Sequence, residues 1–190
     1  VATAALNADV QAFFLIWLVD LADAQRGDGQ FPMVAPLKVA GDDGGPAWAD
    51  ASVICPWTVY EVYGDRQLLA RQYDSMKRFV NFCRDRSVKG VLPPKDFHCF
   101  GDWLSIKADT PKEVIYTAYY ANSTRLLARA AAVLEKEVLK AYYDDCAERV
   151  FKPIRTFFVR NGLNATYVTK VGQAAEAAAD ARDQAFGDEQ

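Results

Sequence analysis

The chain has 190 residues, 51% of them hydrophobic and 25% charged, which suits one ordinary domain with a buried core and excludes wholesale disorder. Its 22 basic and 25 acidic residues leave a net charge of −3 with no Lys/Arg block, against a nucleic-acid footprint or a polybasic membrane patch. The apolar run over residues 13–19 is far too short to span a bilayer.

The opening, from Val1, carries no basic segment followed by an apolar one, so no signal peptide is visible and a processed chain or an excerpt of a longer one is expected. Phe14, Trp17, Leu18 and Leu21 then follow i, i+3, i+4, i+7, which predicts a helix over residues 9–25 with one apolar stripe. Residues 26–47 hold five glycines and three prolines among large apolar residues, a connection longer than the roughly 12–15 residues at which a loop in a compact domain is usually functional. A helix over 51–63 is expected next. Tyr63-Gly64-Asp65 supplies a C-terminal glycine and then the next helix's N-cap, so a tight antiparallel hairpin is expected there.

The following helix, over 66–86, carries the stripe Leu69, Tyr73, Met76, Val80 and Cys83. A second long connection, 87–109, holds Gly90, Pro93, Pro94 and Gly101. Thr110-Pro111-Lys112-Glu113 has the form of a capping box with Pro at the first helical position, opening a helix over 111–134 and making Glu113 a cap rather than an acid catalyst. Leu139, Tyr143, Cys146, Val150 and Ile154 mark another helix, kinked near its end by Pro153. An alanine-rich helix over 171–185 closes the series. No stretch alternates as a strand would, so the fold class is all-α. Short turns alternate with long loops, and helical hairpins set side by side would gather the long loops at one end to build a common site.

Each long loop ends in a Trp close to an Asp: Trp48-Ala49-Asp50 and Gly101-Asp102-Trp103. A pyranose presents apolar C–H faces that pack on an indole, and vicinal hydroxyls from which a carboxylate accepts in pairs. The alternative is that both tryptophans are core anchors and both aspartates helix caps, Asp50 standing just before Ala51-Ser52-Val53. Cys55, Cys83, Cys99 and Cys146 form no CxxC pair, and free thiols are expected, leaning towards a cytoplasmic setting. Only His98 and Cys99 are adjacent metal-type ligands, so no metal is expected. The lone His98 and the lack of a GxSxG elbow disfavour nucleophilic Ser or Cys catalysis, and no phosphate-cradling glycine motif occurs, so no cofactor is expected. Gly41-Asp42-Asp43-Gly44-Gly45 lacks the ligand alternation of a calcium loop and reads as a flexible turn. Asn122-Ser123-Thr124 and Asn164-Ala165-Thr166 are glycosylation sequons, the first mid-helix where attachment is awkward.

Asp28-Gly29-Gln30-Phe31-Pro32, Pro46-Ala47-Trp48-Ala49-Asp50-Ala51, Pro56-Trp57-Thr58-Val59-Tyr60 and Tyr63-Gly64-Asp65 resemble, in that order, the catalytic domain of bacterial α-L-rhamnosidases. Phe100-Gly101-Asp102-Trp103-Leu104, Thr110-Pro111 and Tyr116-Thr117-Ala118-Tyr119-Tyr120 look like its next segment, the resemblance running over about residues 9–158. It implies an (α/α)6 toroid of six helical hairpins, of which this chain supplies about half, with the site where the long loops gather. It also implies inverting hydrolysis of terminal α-L-rhamnosides by two carboxyl groups roughly 6.5–9.5 Å apart. The family's general acid lies in a D-x4-E-R-x-G-W-x-G-D segment before the part matched here and its general base after it. Neither motif occurs in these 190 residues, so no catalytic residue is assigned and the chain alone is expected to be inactive.

What the resemblance carries over is the middle of the site: Trp48 and Trp103 as walls for the sugar, Asp50 and Asp102 as hydroxyl acceptors. The family usually has Gly where Ala47 stands. Residues 1–165 are read as part of the six-hairpin domain and 166–190 as a polar, Ala-rich helix or tail, where Thr169-Lys170-Val171-Gly172-Gln173 resembles the family only loosely. The expected partner is a rhamnose-containing oligosaccharide or glycoside, with no nucleic acid and no membrane. Helix faces left open by a half-toroid could also join copies of the chain. Two rival functions are a half-toroid that binds sugar without cleaving it and a helical scaffold for another protein.

Overall fold

The computed structural model describes residues 1–39, 44–92, 100–102 and 110–160, the side chains of 153 and 155–160 excepted. The expectations placed on His98-Cys99, Trp103, the glycine turn at 41–43, the sequon at 164–166 and the helix over 171–185 lie outside these residues. The chain divides into two compact units, Val1–Phe151 and Lys152–Gln190. Among the described residues six helices run in order: α1 (Ala2–Ala5), α2 (Gln11–Asp23), α3 (Ala51–Tyr63), α4 (Arg66–Arg86), α5 (Lys112–Val133) and α6 (Glu137–Arg160). The described residues contain no named strand, so the fold is all-α.

The apolar stripes decide which face of each helix turns inward. On α4, Leu69, Tyr73, Met76, Val80 and Cys83 are all buried, and α4 packs against α3 and α5. On α2, Leu18 and Leu21 are buried while Phe13, Ile16 and Val19 on the other side are exposed. Helix α3 touches α2, α4 and α5. Its junction with α4 is the tight hairpin expected from the sequence. Gly64 takes the left-handed conformation at φ +67°, and the Asp65 carboxylate accepts from Leu68 N–H at 2.8 Å, capping α4. The α6 backbone stays helical through Pro153. In the first unit, Arg84 donates to Tyr142 Oη at 2.8 Å and Tyr143 donates to Asn81 Oδ1 at 3.4 Å, linking α6 to α4.

The start of α5 departs from the expected capping box. Pro111, at ψ 131°, is the N-cap itself, and no side chain caps the helix. The Thr110 hydroxyl donates instead to Asp102 Oδ2 at 3.1 Å. Thr110 is thus spent on the preceding loop, and Glu113 lies in a first turn without the reciprocal box. No helix among the described residues is long and apolar enough to cross a membrane.

Candidate functional site

Helix α5 is the spine on which both long loops are hung. Its hydroxyl-bearing residues Tyr116, Thr117, Ser123 and Thr124 are buried, and a buried hydroxyl is costly unless bonded. Thr117 Oγ1 accepts from Leu92 N–H and donates to Leu92 C=O, both at 3.0 Å. Tyr116 Oη accepts from Gly101 N–H at 2.6 Å. These three bonds fix Leu92 and Gly101 of the second loop on α5. At the entry to that loop, Val88 and Val91 exchange two backbone hydrogen bonds across Lys89 and Gly90, which both have positive φ, a two-residue reverse turn of the I′ kind.

The first loop is held from the same helix. Ser123, seven residues beyond Tyr116 and so on the same stripe of α5, donates to Asp50 Oδ1. Asp50 Oδ2 accepts from Ala47 N–H at 2.6 Å. Asp50 stands at the N-cap position of α3 but makes no side-chain cap; its carboxyl turns back onto its own loop. It is fully buried. Burial pushes its carboxyl up to about 6, against the opposing pull of the bonds from Ser123, Ala47 and its own backbone amide. Cys83 on α4 is also fully buried, which pushes its thiol up, and the charge of Asp50 adds to that push.

The Asp50 anchorage shapes the turn that presents Trp48. Gly45 C=O accepts from Ala49 N–H at 2.8 Å, and both Gly45 and Ala47 lie in the left-handed region, at φ +66° and +72°. A non-glycine residue is strained there, so Ala47 sits in a backbone conformation that a glycine would take freely. Trp48 emerges 47% exposed and rests on Phe100 of the second loop, ring centroids 5.2 Å apart. The two loops therefore meet at an aromatic pair beside exposed Asp102. Of the residues singled out in the sequence, Trp48, Asp50 and Asp102 are placed here, and Trp103 lies outside the described residues.

Local sequence pattern gives Phe100, Tyr116, Thr117 and Ser123 no site role. Ser123 carried a signal of another kind, the sequon at 122–124, whose two hydroxyls prove to be buried and bonded, one to Asp50 and one to Tyr120 C=O. Among the described residues no cluster of three or more His, Cys, Asp and Glu side chains gathers to hold a metal ion.

Residues 1–180 match the family described as the bacterial alpha-L-rhamnosidase 6 hairpin glycosidase domain. The chain belongs to that family. It is 42% identical over 157 residues to an alpha-L-rhamnosidase of Streptomyces avermitilis, covering 83% of this chain and 15% of that protein. The crystal structure of a Streptomyces avermitilis alpha-L-rhamnosidase complexed with L-rhamnose aligns at TM-score 0.68 and 37% identity, over 78% of this chain and 15% of that one. The alpha-L-rhamnosidase structure from Dictyoglumus thermophilum aligns at TM-score 0.71 and 28% identity, over 77% and 17%. The chain thus spans about a sixth of the length of these relatives and is part of a six-hairpin glycosidase domain.

Proposed function

We propose that this chain is the sugar-facing middle of a glycoside hydrolase that cleaves terminal α-L-rhamnosides with inversion, and that it is inactive by itself. The observation that carries this reading is the likeness, at 37% identity and TM-score 0.68, to a Streptomyces avermitilis alpha-L-rhamnosidase crystallised with L-rhamnose. The Trp48–Phe100 pair supplies an apolar wall for the C–H face of the sugar, with Trp103 a second wall, and Asp102 accepts from sugar hydroxyls. The acid and base carboxylates belong to segments on either side of this one, so the chain holds the substrate while others do the proton transfers. The test is an aryl α-L-rhamnoside assay of this chain alone and of the longer reading frame that carries it. Turnover is expected only from the longer protein, and Trp48→Ala in it should raise KM more than it lowers kcat. Turnover by the 190 residues alone would overturn the assignment.

A second reading, sugar binding without cleavage, rests only on the exposed Trp48 ring packed on Phe100. It requires that the longer protein bind rhamnose and leave the aryl rhamnoside intact.

A further inference from the structure

We infer that Asp50 is a positioning residue: with Ser123 and Ala47 it forms a buried strut that fixes the direction of the Trp48 indole, acting on the sugar only through that ring. The inference rests on the sugar-wall reading for its consequence, but not for its geometry.

Three observations carry it. Asp50 has no exposed surface, and each carboxyl oxygen has a partner inside the chain, Ser123 Oγ on one and Ala47 N–H on the other. It does not cap α3, although it stands at the cap position, so helix initiation does not account for it. Its Ala47 bond falls within the turn that carries Trp48, a turn with two left-handed residues, Gly45 and Ala47. Glycine takes that conformation freely, but the non-glycine Ala47 persists in it only where its surroundings over-determine it. The Ser123 bond ties that turn to α5, the helix that also holds the second loop through Tyr116 and Thr117. One helix therefore sets the relative position of Trp48 and Phe100, and the strut is the link on the Trp48 side.

The chemistry separates this role from direct sugar contact. An asparagine at 50 can accept from Ala47 N–H with its oxygen and donate to Ser123 Oγ with its amide, so it rebuilds the strut without a carboxylate. An alanine cannot, and neither can Ser123→Ala complete it from the other side.

The experiment is 19F NMR of the longer protein that contains this chain, labelled with 5-fluorotryptophan, the chain's four tryptophans being assigned by single Trp→Phe variants. In Ser123→Ala and Asp50→Ala the Trp48 resonance should move towards the free amino acid, its H2O/D2O isotope shift rising about twofold from its half-exposed value. Trp17 on α2 and Trp57 on α3 should hold their positions, and Asp50→Asn and Ser123→Thr should keep the wild-type spectrum. An unmoved Trp48 resonance in Ser123→Ala would overturn the inference. So would an Asp50→Asn spectrum as perturbed as that of Asp50→Ala, or loss of dispersion at all four positions in Ser123→Ala, since the residue would then be holding the whole core. Titrating L-rhamnose into the wild type keeps the two readings apart: a Trp48 resonance that ignores rhamnose but moves in Ser123→Ala sinks the sugar wall and leaves the strut standing.

Discussion

Replacing Asp50 by Asn should change how stability depends on pH more than it changes stability itself. Burial raises the Asp50 carboxyl from its ordinary value of 3.8 to about 6, so the folded chain holds that proton more tightly than the unfolded chain does. The contribution favours the fold below pH 3.8, where both states are protonated, and is lost as pH rises towards 6 and the unfolded chain alone ionises. At 1.36 kcal/mol per pH unit the full loss is about 3 kcal/mol. Asn carries no such proton and keeps both hydrogen bonds, so Asp50→Asn should gain on the wild type by about 2.4 kcal/mol between pH 4 and pH 7, part of the full difference being lost already below pH 4. Urea denaturation followed by circular dichroism reads this directly. With a slope of about 2 kcal/mol/M, the gap between the two midpoints should widen by roughly 1–2 M across that range. A gap constant across pH 4–8 would refute the claim that Asp50 is buried and protonates inside the fold.

Other substitutions test the turns and caps. Ala47→Gly removes a left-handed Ala at φ +72° and should stabilise the chain by about 1 kcal/mol, seen as a melting temperature about 2–4 °C higher. Gly29→Ala should cost about 3 kcal/mol or more, because Gly29 sits at φ +97° and a Cβ there would stand 2.5 Å from Arg78 O on α4; an unshifted denaturation midpoint would contradict that close approach. Asp65→Ala removes the α4 cap and its contact with Gln11 Nε2, and should lower stability by about 1 kcal/mol in the same assay.

Helix existence was legible because burial imposes the 3.6-residue period: the stripes on α2 and α4 turn inward as their spacing requires, and the α3–α4 junction follows from Gly64 and Asp65. The ends were less legible, because a capping residue can be claimed by something distant. Thr110 and Asp50 both stand where a cap would, and both are drawn off, one to Asp102 and the other to Ser123 and Ala47. The Trp48 loop was visible as a long connection with an aromatic and an acid. The pairing of Trp48 with Phe100 and the anchoring by Tyr116, Thr117 and Ser123 join residues far apart in sequence. Nothing in local pattern announces such partners. The helix periodicity hides Ser123 further, since a small polar residue on a buried face reads as ordinary packing.

The most direct test of the account is anomer-resolved 1H NMR of an aryl α-L-rhamnoside incubated with the longer protein that contains this chain. Cleavage with the β-anomer of L-rhamnose appearing first, before mutarotation, is the predicted result. An intact rhamnoside, or the α-anomer appearing first, would contradict it.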